Sequence, residues 1–270
     1  QGLGPLIAHV RATGMQFGIW VEPEMVNPDS DLYREHPDWA LVTPCYSPVL
    51  GRNQLVLNLA LPEARDYLFG ALDRLLCDVP IAYLKWDHNR DLAPAGGRGQ
   101  VLGTYDLLAR LRAAHPAVEI EGCAGGGGRS DAGLAPYVHR FWTSDNIDAV
   151  SRVPIQRGFL NFLPPELMGA HVGASPAHAT GRSQSLGFRA AVAMPGHFGV
   201  ELDPAAVLAD DVLSGGEAEA AAFLGMLGGE KGLKDAGAVL LGDAVTIVTD
   251  DEHDELGGGA SIRALAGAGD

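Results

Sequence analysis

Residues 81–92 read IAYLKWDHNRDL: an apolar, aromatic run that ends in a row of charged and amide side chains. The first half has the length and composition of a short buried strand, Ile81 to Asp87. Charge is costly to bury unless it is paired. A strand ending in Lys85, Asp87, His88, Asn89 and Arg90 is therefore expected to open into a site at its carboxyl end. Side chains alternate along a strand, so Lys85 and Asp87 share one face and Trp86 takes the other. An inward lysine beside Asp87 is expected to keep that carboxylate ionised, which suits a nucleophile. A structural ion pair closing the strand is the competing reading.

The same grammar recurs along the chain. FGIWVEP (17–23), VEIEGC (118–123), HRFWTSD (139–145), ELMGAHV (166–172) and HFGVEL (197–202) are further short apolar runs, each opening into a loop rich in acids, amides, histidine or glycine. Between them, residues 2–14, 62–79, 105–116 and 182–194 carry apolar side chains at helical spacing. Repeated βα units with chemistry at the strands' carboxyl ends predict an α/β fold, a (β/α)8 TIM-type barrel. Six strand signals stand where a closed barrel needs eight. Because the chain starts on a helix that should follow a strand, the barrel is expected to be incomplete at its N-terminus, with two strands upstream of Gln1. Residues 1–205 are read as this catalytic domain. Residues 206–270 are read as an Ala/Gly-rich tail, irregular or a partial C-terminal β domain, in which only AVTIVTD (244–250) has a strand's character.

The formal net charge of −15 argues against nucleic acid and anionic membrane as partners, since both call for a basic surface. A neutral polar ligand such as a sugar is compatible with it. Cys45, Cys77 and Cys123 form an odd set without paired or metal-like spacing, the pattern of reduced thiols in a cytoplasmic protein. His88, His171, His178 and His197 show no HExxH-type spacing, so no metal is expected.

FWTSDNID (141–148) supplies a second strand ending in a carboxylate, Asp145, with Asp148 farther along the loop. Two carboxylates facing each other across a barrel mouth meet the requirement of glycoside hydrolysis, one as nucleophile and one as acid/base. Read alone, Asp145 fits a helix N-cap equally well. GCAGGGGR (122–129) lacks the patterns of phosphate-binding loops and reads as backbone brought close to a neutral ligand, with Cys123 beside it. In GIWVEPEM, Trp20, Glu22 and Glu24 share a face by alternation. Trp20 there suits stacking on a sugar, against a packing role.

Taken together, FGIWVEPEMVNPDSDLYREHPDW, RNQLVLNL, YLKWDHNR, IEGCAGGGGR, FWTSDNIDA, MGAHVGASP and HFGVELD resemble, in order, glycoside hydrolase family 36, the melibiase-type α-galactosidases. The resemblance covers about residues 1–203. It implies a retaining, cofactor-free enzyme that releases terminal α-linked galactose from oligosaccharides such as melibiose or raffinose. It further implies Asp87 as nucleophile, Asp145 as acid/base with Asp148 as fallback, and Trp20, Arg52, Lys85, Asn89, Cys123 and Gly125 as galactose-binding positions. Two departures stand out: no DDGW-type run is present, and Ser130 follows GGGGR where the family carries an aromatic residue. A galactosyl transferase of the raffinose-synthase type and an inactive truncated sugar-binding fragment are the alternatives. Homo-oligomerisation of a full-length parent stays open.

Overall fold

The computed structural model describes residues 2–94 and 96–203, together with the backbone of 244–249 and 262–267. All six expected strands form: β1 (Phe17–Val21), β4 (Ile81–Trp86), β5 (Glu119–Gly122), β6 (Arg140–Trp142), β7 (Met168–Gly173) and β8 (His197–Glu201). They pair in parallel in that order. The sheet they make is a curled half-barrel. A small antiparallel pair, β2 (Met25–Val26) and β3 (Leu55–Val56), sits in the long segment after β1. The tail expected from residue 206 lies mostly outside the described residues. Its strand-like run is β9 (Ala244–Thr249), whose backbone pairs in parallel with β1, and β10 (Ile262–Gly267) pairs antiparallel with β9.

Alternation along β4 separates the two sides of the sheet. Leu84 and Trp86 point into the helix layer, and Lys85 and Asp87 point into the barrel. The helix layer consists mainly of α3 (Pro62–Asp78) and α4 (Gly97–Ala114). α3 buries Ala64, Leu68 and Leu72, one turn apart, and α4 buries Leu107, Leu108 and Leu111. Leu68, Leu72, Leu107, Leu108 and Leu111 pack with Trp86, Ile120 and Phe141 into the largest core cluster. Below it, Ile7 and Val10 of α1 (Gly4–Ala12) pack on Phe17, Ile81 and Leu84.

Several element ends differ from the sequence reading. β6 stops at Trp142 instead of running to Asp145. β7 starts at Met168, because Pro165–Leu167 closes into a 3-10 turn first. α4 begins at Gly97, well before Tyr105, through a glycine-rich stretch of poor intrinsic helix propensity. Close packing explains this extension: a methyl on Gly99 would meet the Ala60 side chain, and one on Gly103 would land on the Leu59 carbonyl. Tertiary fit here outweighs glycine's poor helix propensity. The sequence also hid α5 (Ala149–Phe159), which contains Pro154. Its start is fixed by the Asp148 side chain, which accepts from Ser151 N at 3.0 Å. α2 (Asp31–Glu35) is likewise capped, by Ser30. The last helix, α6 (Leu186–Ala193), covers β7 and β8.

Two glycine substitutions separate packing from propensity. Gly103→Ala is expected to lower stability by about 3 kcal/mol, because the added methyl forces α4 away from Leu59. Gly70→Ala, in α3 with nothing near its would-be methyl, is expected to raise stability by about 0.5–1 kcal/mol. Denaturant melts of the two variants check both signs.

Candidate active site

Asp87 follows the last residue of β4 and is 5% exposed. Four N–H groups point at its carboxylate. Oδ2 accepts from Trp20 Nε1 at 3.0 Å and Asn89 Nδ2 at 2.7 Å. Oδ1 accepts from His88 N at 2.7 Å and Gly125 N at 3.3 Å. Burial by itself pushes the carboxyl up, but hydrogen bonds from Trp20, the Cys123 thiol and Asn89 outweigh it and hold the group below its ordinary value. Asp87 is thus a desolvated, fully ionised carboxylate at the carboxyl end of a barrel strand.

The lysine reading needs correction. Lys85 acts on Asp87 only as a secondary charge; its ammonium lies 3.4 Å from Glu121 Oε1 and 4.3 Å above the Trp142 ring. The register between β4 and β5 sets Lys85 directly beside Glu121. Burial pulls Lys85 down, and Glu121 foremost, with Cys123, Glu201 and Asp87 behind it, raises it above its ordinary value, so it stays protonated. The hydrogen-bond donors on Asp87 are neutral N–H and S–H groups. Glu121 went unnoticed in the sequence because EIEG has the look of an ordinary alternating strand.

The glycine-rich loop joins the two strand ends. Gly125 and Gly126 adopt φ of +52° and +84°, a pair of left-handed residues that only glycine takes without strain. The first turns its N–H onto Asp87. The second lies so close to β6's exit that a Cβ on it would sit 3.0 Å from Asp145 N and 3.0 Å from Ser144 Cα. Asp145 is exposed, with Oδ1 accepting from Trp142 Nε1 at 2.9 Å. The cap role that the sequence also allowed for Asp145 belongs to Asp148. That carboxylate, 1% exposed, accepts from Ser151 N and Oγ and pairs with Arg182 at 3.1 Å.

The other sequence candidates divide around this centre. Trp20, Asn89, Cys123 and Gly125 all address Asp87. Burial, together with Asp87 and Asp145, pushes the Cys123 thiol well up, against the pull of Lys85, so it stays a neutral donor. Arg52 lies at the rim, its guanidinium 4.0 Å from Glu22 Oε1. Glu22 accepts from Asn89 N at 2.9 Å and so fixes the turn after Asp87.

Glu24 does not share a face with Trp20 and Glu22, because β1 ends at Val21 and the chain turns beneath α4. There Glu24, 1% exposed, accepts from Trp86 Nε1 at 2.8 Å, Thr104 Oγ1 at 3.0 Å and Arg129 Nη2 at 2.7 Å. One carboxylate thereby ties the exit of β1, the end of β4 and the far end of the glycine loop. A cavity of about 550 Å3 flanks this tie, lined by Asn89 and Gly125 on one side and Tyr105 on the other.

Arg152 is a second residue the sequence did not reveal. Buried at 1% exposure, it donates to Ser144 O and Gly169 O, both at 2.9 Å, and lies over Trp142. Burial pulls its guanidinium down to about 10, which leaves it cationic behind Asp145 at neutral pH.

The chain matches the family model described as Melibiase over residues 1–214. It is 53% identical over 212 residues to an alpha-galactosidase of Escherichia coli, covering 76% of this chain and 30% of that protein. The galactosidase domain of AgaSK, an alpha-galactosidase–sucrose kinase, superposes with a TM-score of 0.72 at 49% identity, covering 76% of this chain and 29% of that one. Two variants of the GH36 α-galactosidase AgaA from Geobacillus stearothermophilus, one in complex with raffinose and one with stachyose, each give a TM-score of 0.70 at 43% identity, covering 74% of this chain and 29% of theirs. The chain therefore spans about 30% of the length of the relatives it matches.

The Glu24 tie has a pH signature. Burial raises its carboxyl, but Arg129 first, then His88 and the donors around it, hold it below the ordinary glutamate value. Its contribution to stability is present above that ordinary value and is lost as pH falls through the lower folded value. Glu24→Gln is expected to cost about 2–3 kcal/mol at pH 7, since Arg129 loses its buried partner. The gap from the parent should narrow as pH falls below the ordinary glutamate value. A gap of constant size in urea melts across that range would show that the charge contributes nothing.

Proposed function

Because the chain belongs to the melibiase family, we propose that it carries the catalytic centre of a retaining α-galactosidase acting on oligosaccharides of the raffinose and stachyose type. The observation that supports this reading is the opposite character of two carboxylates at neighbouring points of the half-barrel mouth. Asp87 is buried, given four N–H donors and held ionised. Asp145 is exposed and carries one hydrogen bond from Trp142. Environments that split two carboxyl groups in this way suit a nucleophile and a group that exchanges protons with solvent.

In the proposed reaction, an Asp87 carboxylate oxygen attacks the anomeric carbon while Asp145 delivers a proton to the glycosidic oxygen, which leaves with the aglycone. A galactosyl ester on Asp87 results. Asp145, now a carboxylate, takes a proton from water, and the hydroxide attacks the anomeric carbon and releases Asp87. Two inversions leave the sugar with its original configuration. The N–H groups on Asp87 also bear on leaving-group quality: they stabilise its carboxylate when the ester breaks. Trp20, Asn89, Lys85 and the Cys123 thiol would line the sugar's side of the site, and Arg52 its rim.

The two roles give different phenotypes in the full-length protein. Asp87→Ala is expected to lower turnover roughly 10^4-fold or more while leaving the fold intact. A slow-reacting fluorinated galactoside should label Asp87 in the parent enzyme. Asp145→Ala should retain the first step on an aryl galactoside whose leaving group needs little protonation. Azide should then restore its turnover and yield α-galactosyl azide, the product of two inversions. A label on Asp145, or azide rescue of Asp87→Ala with retained (α) product, would exchange the two assignments.

A further inference from the structure

Far from the barrel mouth, α3 and α4 pack side by side, and both end on the same side of the sheet. Asp73 and Cys77 stand one turn apart in the last part of α3, and His115 is the residue that closes α4. Spacing of four on a helix puts Asp73 and Cys77 on one face. The carboxylate, thiol and imidazole donors all lie within 4.8 Å of one another. Among the described residues they are the one group of three His, Cys, Asp or Glu donors gathered this closely.

We propose that Asp73, Cys77 and His115 form a binding site for a divalent metal of the zinc class, joining the ends of α3 and α4. The donor set selects that class. A thiolate with an imidazole and one carboxylate suits zinc, whereas magnesium and calcium require oxygen ligands in greater number. Four-coordinate zinc holds such donors roughly 3.3–3.8 Å apart, so small side-chain rotations complete the geometry. The backbone amide of His115 is already held by Leu111 O at 2.8 Å, and its ring by Asp73 Oδ1 at 2.8 Å. The ring is therefore pre-oriented toward the carboxylate that would share the metal.

A second feature points the same way. Helix C-termini carry partial negative charge, and the last turn of α3 contains no basic residue to offset it. A cation at this place supplies the missing charge. Cys77 is exposed, which gives the metal access and leaves room for water as the fourth ligand. On binding, the Cys77 thiol proton passes to solvent, and the ring proton that Nε2 turns toward Asp73 moves to Nδ1, which frees Nε2 for the metal.

Cobalt(II) reports on the site directly, without any activity measurement. Titrating the full chain with Co2+ should raise a near-ultraviolet sulfur-to-cobalt charge-transfer band that saturates at one equivalent, and Zn2+ should bleach it. The band should vanish in Cys77→Ser and in His115→Ala and persist in Cys45→Ser. Zn2+ should also raise the melting temperature of the parent and of Cys45→Ser, with no rise in the other two variants. The absence of a band overturns the proposal. So does a band that disappears only in Cys45→Ser, or one that survives His115→Ala, since a lone thiol would then be the ligand.

Discussion

A negative charge kept nearly out of water at the mouth of a packed sheet requires donors from every side, and Asp87 obtains them from three separate segments. The indole of Trp20 comes from β1, the amides of His88 and Asn89 from its own turn, and the Gly125 N–H from the loop after β5. None of these segments can shift independently without exposing or abandoning the carboxylate. The parallel register does the rest. It sets Trp20 beside Lys85, and Lys85 beside Glu121, so the strand ends meet at one level. Glu24 performs the matching task on the helix side, where it secures Trp86 from beneath.

The barrel interior is unusually ionic for a core, and its charges balance locally. Lys85 meets Glu121, His171 lies 3.4 Å from Glu201, and Arg152 rests on the same Trp142 ring that Lys85 covers from 4.3 Å. Burial holds the His171 ring below its ordinary value despite Glu201, so it is a neutral partner near neutral pH. Trp142 thus has two cations against its ring while its N–H holds Asp145. Removing either Lys85 or Glu121 leaves an uncompensated charge inside the sheet.

Much of this was legible in the chain itself. Short apolar runs opening into polar or glycine-rich loops named all six strands, because buried parallel strands have no room for another composition. Asp87 stood out for the same reason: a carboxylate after LKW has no bland place to go. Other features depended on pairing across long separations. Nothing in YLKWD says whether Lys85 turns to Asp87 or to a neighbour on another strand; the register decides it, and it chose Glu121. α5 was masked by Pro154, and its N-cap is Asp148, whereas the sequence offered Asp145 for that role. The cluster of Asp73, Cys77 and His115 is invisible to spacing rules, because one ligand arrives from the far end of a different helix.

The glycine loop has a consequence for how this scaffold can be altered. Gly126 and Gly127 press backbone to backbone on Thr143, Ser144 and Asp145, while Gly125 reaches Asp87. The loop behaves as a spacer of fixed thickness between the two carboxylates. If the proposed reaction runs between them, laboratory evolution toward bulkier sugars cannot use this wall, since any side chain or insertion there changes the gap. Under that proposal, variation in substrate range is left to the rim around the exposed Arg52, where the spacer is not touched.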